Sequence, residues 1–219
     1  MPPCEDVPRG PTCCTTGPGA AAAGAAETPP LAVGQPGPLL KGRRHPWLQP
    51  LFWPFRAVSY AVFAGARRWR RGDVLNEVTS GLFLGARLFP GEADALRARG
   101  VTAVIDLTSE LPTAAVFARA PFERYAVPTL DRAPPPPAVF DDAVAWVTAQ
   151  IVSGRAVYVH CAFGRGRSAT LAAAALIALG RAAGVREAVA MVTAARPSVS
   201  IKGEQLAALE AFAARRLTR

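Results

Sequence analysis

With 219 residues, the chain has room for one ordinary domain and its appendages, which excludes two full-sized domains as the default. Apolar residues make up 51% of it, enough to bury a core, while charged residues are only 19% and the abundant Ala, Gly and Pro mark stretches of low complexity. The formal charge of +9 is concentrated in one place: eight basic side chains and no acidic one lie between Lys41 and Gly72, whereas from Asp73 onward 16 basic side chains face 13 acidic ones, so a cationic surface spread over the whole fold is excluded and no nucleic-acid partner is expected.

Residues 1–45 are rich in Pro, Gly, Ala and Thr without sustained periodicity and are expected to form a disordered arm. They lack the charged start and apolar run of a secretory signal. Residues 46–72 are dense in aromatic and aliphatic side chains and close on Arg67, Arg68, Arg70 and Arg71. Pro46, Pro50 and Pro54 forbid a regular helix before Pro54, which suits a first helical position. The apolar run from Phe55 to Ala66 is shorter than the ~20 residues a bilayer span needs. Two readings of this apolar-basic segment stand side by side: a helix lying on a membrane surface with a basic cuff, or a helix packing its apolar face on the following domain.

From Asp73 the pattern becomes alternating strands and helices. Strands are expected at Gly81–Gly85, Val101–Leu107, Phe122–Val127 and Ala156–His160. Helices are expected at Glu92–Arg99, stopped by Gly100, and from Pro137 to about Val152, with Phe140, Val144, Val147 and Ile151 on one stripe. Three more follow at Ser168–Leu179, Val185–Ala195 and Gly203–Leu217. The alternation predicts a single α/β domain over residues 73–219, with a central, mainly parallel sheet flanked by helices on both faces.

Cysteines occur at 4, 13, 14 and 161, and histidines at 45 and 160. Three cysteines in the opening arm and one alone in the domain make no disulfide framework, suit a reducing compartment, and leave too few ligands for a Cys/His zinc site. The stretch Val159–Thr170 (VHCAFGRGRSAT) carries the chemistry. A buried strand ends at His160, a Gly-containing loop follows, and Ser168 opens an Ala-rich helix. Strand ends in open α/β sheets bind ligands, and a helix N-terminus adds unpaired amides and a positive dipole end, which together cradle an anion. A thiol in such a field is favoured as the thiolate, the form that attacks. Cys161 is therefore the expected nucleophile, and Arg167 has the planar fork to grip two phosphate oxygens. Gly164 and Gly166 are expected to let the backbone curl with its amides inward. Ser168 can donate a hydrogen bond to the departing thiolate, and His160 is expected to orient the loop. Cys161 alone would read as a buried structural thiol. Arg167 alone would read as a solvated charge, although the helix dipole disfavours a cation there unless an anion answers it.

The run from His160 to Ser168 resembles the active-site loop of the protein tyrosine phosphatase superfamily, dual-specificity branch. NEVTSGLFLG is similar to the opening strand of that branch, GVTAVIDLT to its second strand, and RPSVSIKGEQLAALEAF to its closing helix. The resemblance covers roughly Asn76 to Leu217 and implies phosphoester hydrolysis through a phosphocysteine intermediate, with no metal and no other cofactor. It also implies a phosphate site built from Ala162, Phe163, Gly164, Arg165, Gly166 and Arg167, and an Asp on a separate loop as proton donor to the leaving group. Asp131, 30 positions before Cys161 and followed by four prolines after Ala133, fits that acid. Its rival is Asp106, at a strand end where the family usually supports the phosphate loop. Asp141 and Asp142 read as first-turn, dipole-complementing residues of the long helix.

The resemblance implies phosphoprotein substrates bearing phosphorylated Tyr, Ser or Thr. One alternative is a lipid phosphatase acting on a phosphoinositide or phosphatidylglycerophosphate at a membrane surface. Lipid enzymes of the superfamily often carry a cation at the position of Arg165, although Phe163 is bulkier than their usual residue. Another alternative is a non-catalytic phosphate-binding module. The expected location is cytoplasmic or membrane-associated on a reducing side.

Overall fold

The computed structural model describes residues 75–89, 91–109 and 122–217, together with Ala57, Val58, Ala61, Ala64 and Gly65. The expected arm at 1–45 lies outside the described residues, as does the apolar-basic segment at 46–72 apart from those five positions, whose backbone is helical. Among the described residues, no helix is long and apolar enough to cross a membrane.

Among the described residues there are five strands: β1 (Leu75–Thr79), β2 (Leu82–Ala86), β3 (Val101–Thr108), β4 (Glu123–Thr129) and β5 (Ala156–Cys161). The helices whose full ranges are described are α1 (Ala93–Ala98), α2 (Pro137–Val152), α3 (Arg167–Ala178), α4 (Val185–Ala195) and α5 (Glu204–Leu217). The spatial order of strands is β1-β2-β5-β3-β4. Only β1 and β2 run antiparallel; the other neighbours are parallel. NEVTSGLFLG is thus a hairpin rather than one strand, because Ser80 and Gly81 form a turn with Gly81 at a φ of 78°. The other strand and helix ends fall within a residue or two of the sequence expectation.

Period-two alternation separates two cores. Leu82, Leu84, Ala103, Ile105, Leu107, Val157, Val159 and Cys161 face the side covered by α2–α5. Phe83, Val104 and Tyr158 face the other side, with Leu96 of α1. Val101 joins the α1 side although Ala103 does not, because the β3–β5 register shifts between those two residues.

On α2, Pro137 sits at the helix start, and the stripe Phe140, Val144, Val147 and Ile151 is buried, as its spacing predicts. Asp141 and Asp142 lie beyond the first turn, so the expectation of a dipole role is corrected: Asp141 is paired with Arg215 of α5 at 2.7 Å. The central helix is α3. Its alanines, Ala169 and Ala172 to Ala175, are fully buried, and these small side chains let α2, α4, α5 and the sheet approach it from all sides. The sheet register brings Ala86 beside Cys161 and both Gly85 and Asp106 beside His160, so the carboxyl ends of β2, β3 and β5 form one edge, from which the β5–α3 loop rises.

Candidate active site

The loop from Cys161 to Arg167 is shaped by where its carbonyls go. The Ala162 carbonyl accepts from the Arg87 amide at 3.2 Å. The Phe163 carbonyl accepts from Arg196 Nη2 at 3.1 Å, and that of Gly164 from Arg196 Nε at 2.8 Å. The Arg165 carbonyl accepts from the Ser200 amide at 2.9 Å, and the Gly166 carbonyl from the Thr170 amide at 2.8 Å and its hydroxyl at 3.0 Å. Five consecutive carbonyls are thus drawn to the surrounding protein. A peptide plane whose C=O points out of a curved loop turns its N–H in, and successive inward amides make an anion-binding concavity. One of them, Gly164 N–H, points at Cys161 Sγ at 3.3 Å.

Cys161 is buried, and its sulfur also lies 3.3 Å from the hydroxyl of Ser168, in the first turn of α3. Gly164 is a glycine for two reasons: its φ is 70°, and a Cβ there would sit 2.5 Å from the backbone of Gly85 in β2. Gly166 differs from expectation. Its φ is −111°, and a Cβ there would sit 2.6 Å from the side-chain amide of Gln205, which would have to shift to admit it.

Arg167 is buried at the start of α3 and reaches across the sheet edge. Its Nη1 donates to the Thr129 carbonyl at 2.8 Å and the Leu107 carbonyl at 3.3 Å, while Nη2 lies 3.3 Å from the Asp131 carboxylate. The guanidinium therefore ties the loop to the ends of β3 and β4 and to the segment that carries Asp131. That carboxylate is 70% exposed, on a turn closed by Ala133 N–H to the Leu130 carbonyl, in which Arg132 has a φ of 64°.

His160 and Asp106 point to the α1 side of the sheet, opposite to Cys161. The fully buried imidazole stacks on Tyr158, with Nδ1 3.7 Å from Asp106. Burial lowers its pKa below the ordinary 6.5; Asp106 opposes this, and Arg87 and Arg167 reinforce it. Asp106 accepts from the Thr108 amide at 2.8 Å, bracing the end of β3. Arg165 is exposed. Sequence reasoning missed Arg196, Asn76 and Gln205. An Arg near a helix C-terminus ordinarily reads as a dipole partner, so its type and position did not single it out.

Residues 82–215 match the family model described as "Dual specificity phosphatase, catalytic domain". Dual specificity protein phosphatase 14 of Homo sapiens is 36% identical over 109 residues, which is 48% of this chain and 54% of that protein. The Mus musculus protein of the same name is 38% identical over the same shares. The chain thus spans about half the length of the curated relatives it matches. Among solved structures, PTPMT1 in complex with PI(5)P is similar with a TM-score of 0.62 and 27% identity, over 67% of this chain and 99% of that one. A single-residue variant of human DUSP28 is similar with a TM-score of 0.60 and 26% identity, over 66% and 97%. With the family model matching more than half of its length and the fold shared with these structures, this chain belongs to the dual specificity phosphatase catalytic domain family.

Proposed function

We propose that the chain hydrolyses phosphate monoesters through Cys161, on phosphoprotein substrates. The observation that carries this reading is the loop itself: five outward carbonyls, with the sulfur of Cys161 receiving the Gly164 amide. Inward amides, the start of α3 and the Arg167 fork would hold the three non-bridging phosphate oxygens and stabilise charge developing on the phosphoryl group. The Cys161 thiolate attacks phosphorus, forming an S–P bond as the bond to the ester oxygen breaks. Asp131, in its acid form, gives that oxygen a proton. In the second step the Asp131 carboxylate takes a proton from water. The water oxygen attacks phosphorus, and the S–P bond breaks with its electron pair returning to sulfur, steadied by the Ser168 hydroxyl. His160 and Asp106 act as supports, packed behind the loop.

The test is hydrolysis of a chromogenic aryl phosphate by the full chain without added metal. Wild type is expected to release product and Cys161→Ser to release none. If neither releases product and the two behave identically, a phosphate-binding module is the better reading.

A second substrate class has its own support. Arg165 places an exposed second cation in the loop, and PTPMT1, which is similar in structure, is known in complex with PI(5)P. A phosphoinositide or phosphatidylglycerophosphate presented at a membrane, with residues 46–72 on the surface, is this alternative. Turnover compared across phosphopeptides and phospholipid vesicles decides between them.

A further inference from the structure

We propose that Arg196 and Asn76 form a positioning device for the phosphate loop, holding two consecutive carbonyls outward so that the amides of the same two peptide planes, Gly164 and Arg165, face the oxyanion. The inference rests on the reading of Cys161–Arg167 as an oxyanion site. Its basis is the geometry of one buried side chain. Arg196 is 3% exposed and spends its three nitrogens on three acceptors: Nε on the Gly164 carbonyl at 2.8 Å, Nη2 on the Phe163 carbonyl at 3.1 Å, and Nη1 on Asn76 Oδ1 at 2.7 Å. Only a planar fork can address three acceptors in this way; an ammonium on a flexible stem cannot.

The local sequence explains how the fork reaches the loop. Pro197 disfavours helix at the preceding residue, and Arg196 is extended, with φ −142° and ψ 93°, so α4 stops there. The turn that follows is closed by Val199 N–H to the Arg196 carbonyl, and it delivers the Ser200 amide to the Arg165 carbonyl. One Arg-Pro turn thereby restrains three consecutive loop carbonyls. Asn76 fixes the far end of the fork. It lies on edge strand β1, upstream of the residues that match the family model, and 85 positions before Cys161. Its amide oxygen holds the guanidinium in the plane the two carbonyls require, so the opening hairpin is coupled to the catalytic loop through one hydrogen bond. Arg196 also brings a buried positive charge to the outer wall of the loop, of the sign that favours an oxyanion inside it.

The experiment uses the full chain and orthovanadate, a tetrahedral oxyanion, as the probe. Asn76→Ala is expected to raise the vanadate inhibition constant and lower kcat/KM, each by about 10-fold, the worth of one hydrogen bond to a charged group. Asn76→Asp, which keeps an oxygen acceptor for the fork, is expected to restore both. Arg196→Lys keeps the charge but loses the fork, and is expected to cost about 10²-fold. The rate of Cys161 alkylation by iodoacetamide, read separately from Cys4, Cys13 and Cys14 by peptide mass spectrometry, should fall in the same order. A merely structural role would lower Tm and leave vanadate affinity and alkylation untouched. Asn76 is half-buried on an edge strand, so its variants decide the matter if Arg196→Lys does not fold. If wild type is active and Asn76→Ala keeps its vanadate affinity and kcat/KM within about 2-fold, where one lost hydrogen bond predicts more, the positioning device is overturned. If wild type neither hydrolyses esters nor binds vanadate, the site reading itself falls, and this inference with it.

Discussion

Two loops meet at the carboxyl edge of the sheet, and they are built on opposite principles. The β5–α3 loop has its carbonyls bonded to Arg87 just after β2, to α3 and to the α4–α5 connection, so its backbone is braced from outside even though Arg165 is exposed. The β4–α2 loop projects Asp131 at 70% exposure from a turn with one left-handed residue, and meets the first loop through Arg167. A site that must surround a dianion gains from a rigid cradle, because donors fixed in advance need no reorganisation during reaction. The proposed proton donor, Asp131, would gain from an adjustable mount, because leaving groups differ in shape. Arg167 belongs to both regions, so phosphate bound by its fork would be sensed at the carboxylate.

Point substitutions test this contrast. The largest effect is expected at the adjustable side. Asp131→Ala should lower turnover by ~10²–10⁴-fold with little change in substrate binding or Tm, as steady-state kinetics and thermal melts would show. If Asp106→Asn costs far more than Asp131→Ala, the acid is misassigned. Next comes the rigid side. Gly164→Ala drives a Cβ to 2.5 Å from the Gly85 backbone at a φ of 70°. It should cost about 1–3 kcal/mol for overpacking, plus about 1–2 kcal/mol for the left-handed backbone, measured by urea unfolding. A variant as stable as wild type would mean that the loop gives way more easily than its bonding implies.

A smaller effect comes from beneath the cradle. The folded-state pKa of His160 lies below 6.5, so between that folded value and 6.5 the unfolded chain binds more protons than the folded one. The contribution of His160 to stability is therefore intact above pH 6.5 and declines as pH falls below it, by at most about 1.4 kcal/mol per pH unit. His160→Gln should flatten this part of the urea-stability profile; an unchanged slope would show that the imidazole is not the group responsible. The smallest effect is expected at Arg132. Replacing it with Gly removes the cost of a φ of 64° but loosens the unfolded chain, for a net gain under about 1 kcal/mol. A clear loss of stability would reveal contacts of the Arg132 side chain that hold the acid loop.

What the sequence makes legible here follows physical range. The stripe on α2 and the apolar runs of β3 and β5 are local periodicities, and they locate the elements within a residue or two. Cys161, the loop glycines, Arg167 and Ser168 lie within one octapeptide, so their clustering is written in the chain itself. The partition of His160 and Cys161 onto opposite faces also follows from strand alternation. Arg196 and Asn76 are different: one hydrogen bond joins residues 120 positions apart, and no pattern along the chain announces it. Gly166 misleads for a similar reason. Its missing side chain makes room for Gln205, a neighbour supplied by a distant helix.

In the proposed site an anion would be addressed by main-chain hydrogens held from outside, which would release the side chains of positions 163 and 165 from that duty. Arg165 is exposed and Phe163 half-covered, and the carbonyls of both are held by Ser200 and Arg196, so a change of either side chain is expected to leave the turn in place. On that reading, substrate preference and phosphoryl chemistry would be separable traits. Evolution or a protein engineer can retune what approaches the pocket through positions 163 and 165 without rebuilding the apparatus that cleaves it.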